Sequence, residues 1–288
     1  MKTRLITSAV GIAILFAVTT LFHTPVFDLV IAAICLIAVH EIYNAFQLEK
    51  AAYIYWSFVP YTLLVMLFNF SWARILLLPA SYLFVVYLAV CVIRNSKTIN
   101  FAKLSGMTVL SGIIIFCFFS FIYLKRLLPA ADYGYDAIYF MYLILGFSWG
   151  GDSAAYFAGR FFGKHKLAPV VSPNKTVEGA VGGVLGSMFM GVVITLIYSL
   201  VCYKVLGLPL NALGVGFYFM IALLGACASV LGILGDLLAS AVKRQCGIKD
   251  YGTIFPGHGG VLDRFDSVMF VAPFVSIVVT VAFYYYVR

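Results

Sequence analysis

Long uncharged stretches alternate with short polar joints along the whole chain. Nine apolar segments, each about 20 residues, are long enough to cross a bilayer. They run over 5–22, 25–46, 52–72, 74–93, 105–124, 136–158, 177–203, 213–239 and 266–287. The second is interrupted by Asp28 near one end and Glu41 near the other. The eighth lies in a stretch, 205–235, that has no charge and exceeds one span, so Pro209 or a glycine is expected to break or tilt it. The pattern predicts an all-α integral membrane protein with about nine transmembrane helices. The opening MKTRLITSAVGIAILFAVTTLF resembles a signal peptide, but no small-x-small cleavage site follows, and it reads as a retained first span.

Composition agrees with that reading. Only 10% of the 288 residues are charged and the mean hydropathy is +1.05, whereas soluble domains are about 25% charged. Too little polar surface remains to cover a water-facing globule, which excludes a soluble domain. Low-complexity linkers and internal repeats are absent from the sequence. The six cysteines, Cys35, Cys91, Cys117, Cys202, Cys227 and Cys246, form no Cys-x-x-Cys pair, so neither a disulfide framework nor a zinc site is expected.

The net charge of +8 raises a nucleic-acid partner, but in so apolar a chain it reads instead as membrane orientation combined with an anion site. With nine spans, 14 of the 19 Lys and Arg residues fall on the N-terminal side and 5 on the other. The asymmetry places the N-terminus in the cytoplasm and the C-terminus outside. Six of the eleven acidic residues lie after residue 150. Residues 1–130 therefore read as a transmembrane scaffold and 131–288 as a catalytic transmembrane region whose site faces the cytoplasm.

Within that second region the connection RFFGKHKLAPVVSPNKT, 160–176, carries four cations. By itself it reads as an anchor on anionic lipid. Pro173 and Asn174 are expected to make a turn, and Thr176 with Glu178 suits the opening of the seventh span. Upstream, SWGGDSAAYFAG places Asp152 in an apolar span, where an acid is costly without a cation or water nearby. Gly182 and Gly186 form a small-xxx-small pair that predicts close helix packing. Gly159 to Lys164 is not a P-loop: its glycines are too close, and His165 stands where Ser or Thr is required.

Asp236, Ser240, Lys243 and Arg244 fall at i, i+4, i+7 and i+8, on one helical face. The plainer reading of that face is a helix-end salt bridge with snorkelling cations. The stretch KDYGTIFPGHGGVLDRFDS, 249–267, follows. Gly257, Gly259 and Gly260 around His258 allow backbone N–H groups to face an anion. Asp263 and Asp266, three residues apart at the start of the last span, can aim at one point. Carboxylates beside cations and a glycine turn suit a hard cation and phosphates, since Mg²⁺ commonly takes one or two carboxylates plus substrate oxygens.

These residues resemble the signature of a known family. Ser240-x-x-Lys243-Arg244, Lys249-Asp250, Gly252, Phe255-Pro-Gly-His-Gly-Gly260 and Asp263-Arg264-x-Asp266 are similar to the motif of phosphatidate cytidylyltransferases, also called CDP-diacylglycerol synthases. The stretches 151–156 and 172–179 resemble that family too, so the likeness extends over 148–267 and the first 130 residues match only as membrane helices. The resemblance implies an integral inner-membrane, Mg²⁺-dependent enzyme, a homodimer, making CDP-diacylglycerol and pyrophosphate from CTP and phosphatidate. It implies that Asp236 and Asp263 hold the metal, with Asp266 and Asp152 as further ligands or supports and a second cation as an option. Lys175, Lys243, Arg244, Lys249 and Arg264 would bind phosphates. His258 would bond a phosphate or protonate pyrophosphate, and Gly257, Gly259 and Gly260 would shape the turn. Ser172, Asn174 and Ser240 fall within the matching motifs as candidate substrate contacts.

Two other readings compete. A secondary transporter of phosphorylated anions also carries intramembrane acids and basic half-sites, but here the charges cluster at one interface and no inverted repeat is visible. A CTP-using polyprenol or lipid kinase would need a base to activate an alcohol. The charge assignments predict that Lys243→Ala abolishes the implied activity while Lys97→Ala, an orientation charge, costs much less. Product formed per mole of purified variant checks this, and equal losses would remove the distinction.

Overall fold

The structure, a computed structural model, describes residues 11, 13–48, 51–97, 99–206, 214–255, 257 and 259–286. The expectations for Pro209 and His258 lie outside the described residues, as do residues 5–10 and 12 of the first segment.

The chain folds as helices joined by short connections. In order these are α1 (Pro25–Ala45), α2 (Ala52–Met66), α3 (Ser71–Arg94), α4 (Phe101–Leu127), the single turn α5 (Ala130–Tyr133), α6 (Asp136–Leu145), a π-helical turn (Gly146–Gly150) and α7 (Gly151–Phe162). A two-stranded sheet, β1 (Lys166–Ala168) and β2 (Ser172–Thr176), precedes α8 (Val177–Leu206), α9 (Val215–Gln245), the short α10 (Leu262–Phe265) and α11 (Val268–Tyr286). Residues 13–20 are helical as well. Among the described residues six helices are long and apolar enough to cross a membrane: α1, α3, α4, α8, α9 and α11. The protein is thus an all-α multi-pass membrane protein apart from one small hairpin. Segment 52–72 gives a shorter apolar helix, α2. Segment 136–158 is helical throughout but passes through the π turn between α6 and α7.

The chain divides into two compact units, each built from two stretches of sequence. One comprises Met1–Arg126 with Lys243–Phe265; the other comprises Leu127–Val242 with Asp266–Arg288.

In the first unit α1 packs on α2, α2 on α3, and α10 on α1. Phe27, Ile42, Ile54, Phe58, Ile114 and Phe118 are fully buried there, and the Phe118 ring lies 4.9 Å from that of Phe265. Asp28, the acid that interrupts the second apolar segment, is 1% exposed. It accepts hydrogen bonds from Lys125 Nζ at 2.7 Å and Asn69 Nδ2 at 3.0 Å, and Lys125 also donates to the Thr24 carbonyl. A charge that would otherwise be untenable in an apolar core thereby ties α1 to α4. By contrast α3 buries only Ala73, Leu88 and Cys91, which suits a helix presenting an apolar surface to lipid.

In the second unit α7 lies along α8 at very close range. A methyl group added to Gly182 would strike Ala158 Cβ, and one on Gly186 would strike Ala154 Cβ. Gly183 faces Ala155, and Gly179 sits against the Cα of Gly159. The expected small-residue packing is therefore present, with partners on α7. Apolar helices gain little from burying oil-like surface inside oil, so close van der Waals contact is what joins this pair.

Breaking the buried ion pair gives a direct test of the first unit. Asp28→Asn is expected to cost about 3 kcal/mol because Lys125 keeps its charge without a counter-ion. Replacing both, as Asp28→Leu with Lys125→Met, should recover most of the loss. Melting temperatures of the detergent-solubilised variants report both effects.

Candidate active site

Two groups of chemistry-bearing residues form, one in each unit. The first begins where α9 ends. Gly247, at φ 71°, lets the chain reverse: Ile248 N–H bonds the Lys243 carbonyl and Gly247 N–H bonds that of Arg244. This is a Schellman closure, which needs a residue comfortable at positive φ. The chain then runs through Lys249 and Asp250, both exposed, to the buried Tyr251. Phe255 N–H bonds the Gly259 carbonyl at 2.9 Å, pinching the loop, and Gly257 and Gly259 take φ values of 79° and 83°.

Asp263, on α10 and 5% exposed, gathers this loop. Its Oδ2 accepts the Tyr251 N–H at 2.8 Å and the Gly260 N–H at 3.0 Å. Its Oδ1 accepts Lys243 Nζ at 2.9 Å, and that ammonium also lies 5.5 Å from the centre of the Tyr251 ring. A buried carboxylate needs such compensation. The next two amides turn elsewhere: Val261 N–H and Leu262 N–H bond Glu41 of α1 at 2.9 and 2.8 Å. Arg244 and Arg264 are exposed.

In the second unit the β1–β2 hairpin pairs Lys166 with Thr176 and Ala168 with Ser172. Thr176 ends the hairpin and starts α8, its Oγ1 accepting the Gly179 N–H at 3.0 Å as a helix cap. Glu178 accepts the N–H groups of Lys164 and His165 and contacts His165 Nδ1 at 2.6 Å, fixing the base of the hairpin. Lys175 projects from β2 to Asp236 Oδ2 at 2.5 Å, and Ser240 donates to Asp236 Oδ1 at 3.2 Å. Asp152, one residue past the start of α7, accepts the Ser267 hydroxyl at 2.8 Å. Asp266 Oδ1 accepts the Ser267 N–H. Glycines let α9 pass close by: Gly232 touches Ser267, and a methyl on Gly235 would meet the Asp266 carbonyl at 2.5 Å. A cavity of about 10 Å³, room for roughly one water, is lined by Ser148, Asp152 and Ser229 among others.

Three expectations change. Pro173 and Asn174 lie in β2, and the turn falls at 169–171, because pairing with β1 extends 172–176. Asp263 precedes the last span rather than opening it, since a turn at Asp266–Ser267 separates α10 from α11. The helix-end salt bridge of Asp236 is made with Lys175 of the hairpin, while Lys243 of the same helix pairs with Asp263. Among the glycines, Gly260 gives its amide to Asp263. The sequence offered no sign of Tyr251 or Ser267 as partners, whereas Thr176 caps the helix whose opening it was expected to mark. Glu41 carried one, a carboxylate inside an apolar span.

The profile of the Cytidylyltransferase family matches residues 2–282, nearly the whole chain. The chain belongs to that family. A phosphatidate cytidylyltransferase of Bacillus subtilis is 40% identical over 178 residues, covering 62% of this chain and 59% of that protein. Those of Staphylococcus epidermidis and Staphylococcus aureus are 44% and 40% identical over 144 and 146 residues, covering 50% of this chain and 49% of theirs. The chain therefore spans between half and three fifths of the length of these relatives.

In this member of the family the donors suit a hard divalent cation. In one unit Asp263 offers a carboxylate oriented by backbone amides, and in the other Asp236 offers one oriented by Ser240. Among the described residues no cluster of three or more His, Cys, Asp or Glu forms a closed cage. One or two carboxylates with the remainder supplied by phosphate and water is the usual arrangement for Mg²⁺, so the residues fit it.

The Lys175–Asp236 pair is about one quarter exposed on each side, so its coupling should be modest. A double-mutant cycle with Lys175→Met and Asp236→Asn is expected to give about 1 kcal/mol of interaction energy. Thermal unfolding in detergent measures it, and strict additivity would deny the pair.

Proposed function

We propose that the chain transfers the cytidylyl group of CTP to phosphatidate, giving CDP-diacylglycerol and pyrophosphate. The observation that carries this reading is family membership over residues 2–282 joined to the Lys243–Asp263 loop geometry. The names of the relatives support the substrate pair.

The chemistry makes particular demands on these side chains. Phosphatidate is already ionised near neutral pH, so its oxygen attacks the α-phosphorus of CTP with little base assistance. The P–O bond to the β-phosphate breaks and pyrophosphate leaves with the electron pair. Bringing two polyanions together is the obstacle, and fixed positive charge answers it. Arg244, Lys249 and Arg264 are exposed cations for the phosphates. Lys243 and Lys175 are each held by a carboxylate and can extend their remaining N–H groups to incoming phosphate oxygens. Ser172 and Asn174 precede Lys175 on the hairpin strand as substrate contacts, and His258 would donate to a phosphate or to the leaving pyrophosphate. Asp263 in one unit, and Asp236 and Asp266 in the other, are the candidate carboxylates for Mg²⁺, which when bound would neutralise phosphate charge.

The membrane setting follows from the substrates. One keeps its tails in the bilayer and the other comes from the aqueous phase. The distribution of Lys and Arg supports nine spans, a cytoplasmic N-terminus and a site near the cytoplasmic face of the inner membrane. A homodimer is part of the same reading.

Purified protein with labelled CTP, phosphatidate and Mg²⁺ should yield a lipid-linked cytidylyl label and pyrophosphate. CDP release with a phosphorylated lipid would favour the kinase, and uptake without turnover the transporter. Asp263→Asn is expected to lower turnover by a factor on the order of 10² or more while the protein still inserts and folds. Near-normal rates at saturating Mg²⁺ would contradict the role given to Asp263.

A further inference from the structure

Glu41 stands in α1, in the stretch that sequence alone assigns to scaffold, yet its carboxylate is enclosed by the signature loop. It is 4% exposed. Oε1 accepts the Val261 N–H at 2.9 Å and Oε2 the Leu262 N–H at 2.8 Å. The preceding amide, that of Gly260, goes to Asp263 Oδ2. Three successive N–H groups, 260 to 262, thus converge on two protein carboxylates. This is the arrangement by which glycine-rich backbone cradles an anion, and here the anions are built in.

The fit is close on both sides. A methyl group on Gly252 or on Gly260 would collide with the Glu41 carboxyl group. The loop therefore wraps a carboxylate that neither a bulkier backbone nor a second anion could share. Placing an acid in an apolar helix is costly, and a neutral amide would not serve equally: a glutamine offers one acceptor oxygen for two N–H donors and brings two donors of its own.

We infer that Glu41 is a positioning residue for the cytidylyl transfer proposed above. By clamping the amides of Val261 and Leu262 it fixes the backbone immediately before Asp263. It thereby fixes the orientation of the Asp263 carboxylate and of the Lys243 ammonium bonded to it. Glu41 does not itself touch substrate in this role. The amides of residues 260 to 262 are thus satisfied from within the protein.

The test uses the full-length protein in detergent with two readouts. Glu41→Gln is expected to lower kcat by about tenfold, as loss of an orienting partner commonly does, with little change in the KM for phosphatidate. Hydrogen exchange of the peptide covering 260–262 should accelerate in the same variant. Glu41→Asp keeps two acceptor oxygens and should lie between parent and Gln on both readouts; it carries the test if Glu41→Gln does not fold. Parental kcat in the substituted enzyme, or unchanged exchange at 260–262, would overturn the inference. Should the parent show no turnover of CTP with phosphatidate, the functional reading fails while the exchange measurement still decides whether Glu41 holds the loop.

Discussion

A carboxylate taken out of water must be met by donors, and the environment of Asp263 follows from that requirement. With 5% exposure it cannot stand alone. The structure answers with one lysine and two backbone amides. Satisfying it bends the chain so that Lys243, Tyr251 and Gly260, well separated in sequence, share one centre. The positive φ values at Gly247, Gly257 and Gly259 are the conformational means of that bend. Charge placement and loop shape are thus a single feature. The residues that most resemble chemistry in this family are also those that hold the loop closed.

The second unit solves a different problem by different means. Its hairpin carries Lys175 to Asp236, and the hairpin is positioned by Thr176 and Glu178 at the head of α8. That helix is held to α7 through glycines and alanines with almost no side chain between them. Small residues allow backbone to approach backbone, so the position of Lys175 depends on contacts made by residues that carry no chemistry.

Most of the architecture was legible in the sequence because membrane helices announce themselves by length and lack of charge. The signature residues were legible because acids and glycines are conspicuous in such a chain. The helical face shared by Asp236 and Ser240 was read correctly from spacing, and a hydrogen bond joins them. Partner choice was not legible. Asp236 pairs with a lysine 61 positions earlier rather than with Lys243 on its own helix, and no local rule anticipates that. Pro173 and Asn174 have strong turn chemistry, yet cross-strand pairing kept them extended. Glu41 was visible only as an interruption of a span, since its partners lie 220 and 221 residues away.

The π turn at Gly146–Gly150 has a bearing on how this region is read from any sequence. A π turn accommodates one more residue than an α turn. Each residue of an α-helix advances the azimuth by about 100°, so everything after Gly150 is rotated relative to a wheel drawn from Asp136. Such a wheel assigns Asp152 and the α7 alanines to the wrong sides. The offset is stabilised locally: the Ser187 hydroxyl bonds the Phe147 carbonyl at 2.7 Å, and Gly150 and Gly151 admit Met190 and Ser187. Five residues rich in glycine thus act as a phase shifter, deciding which direction the acid beyond them faces.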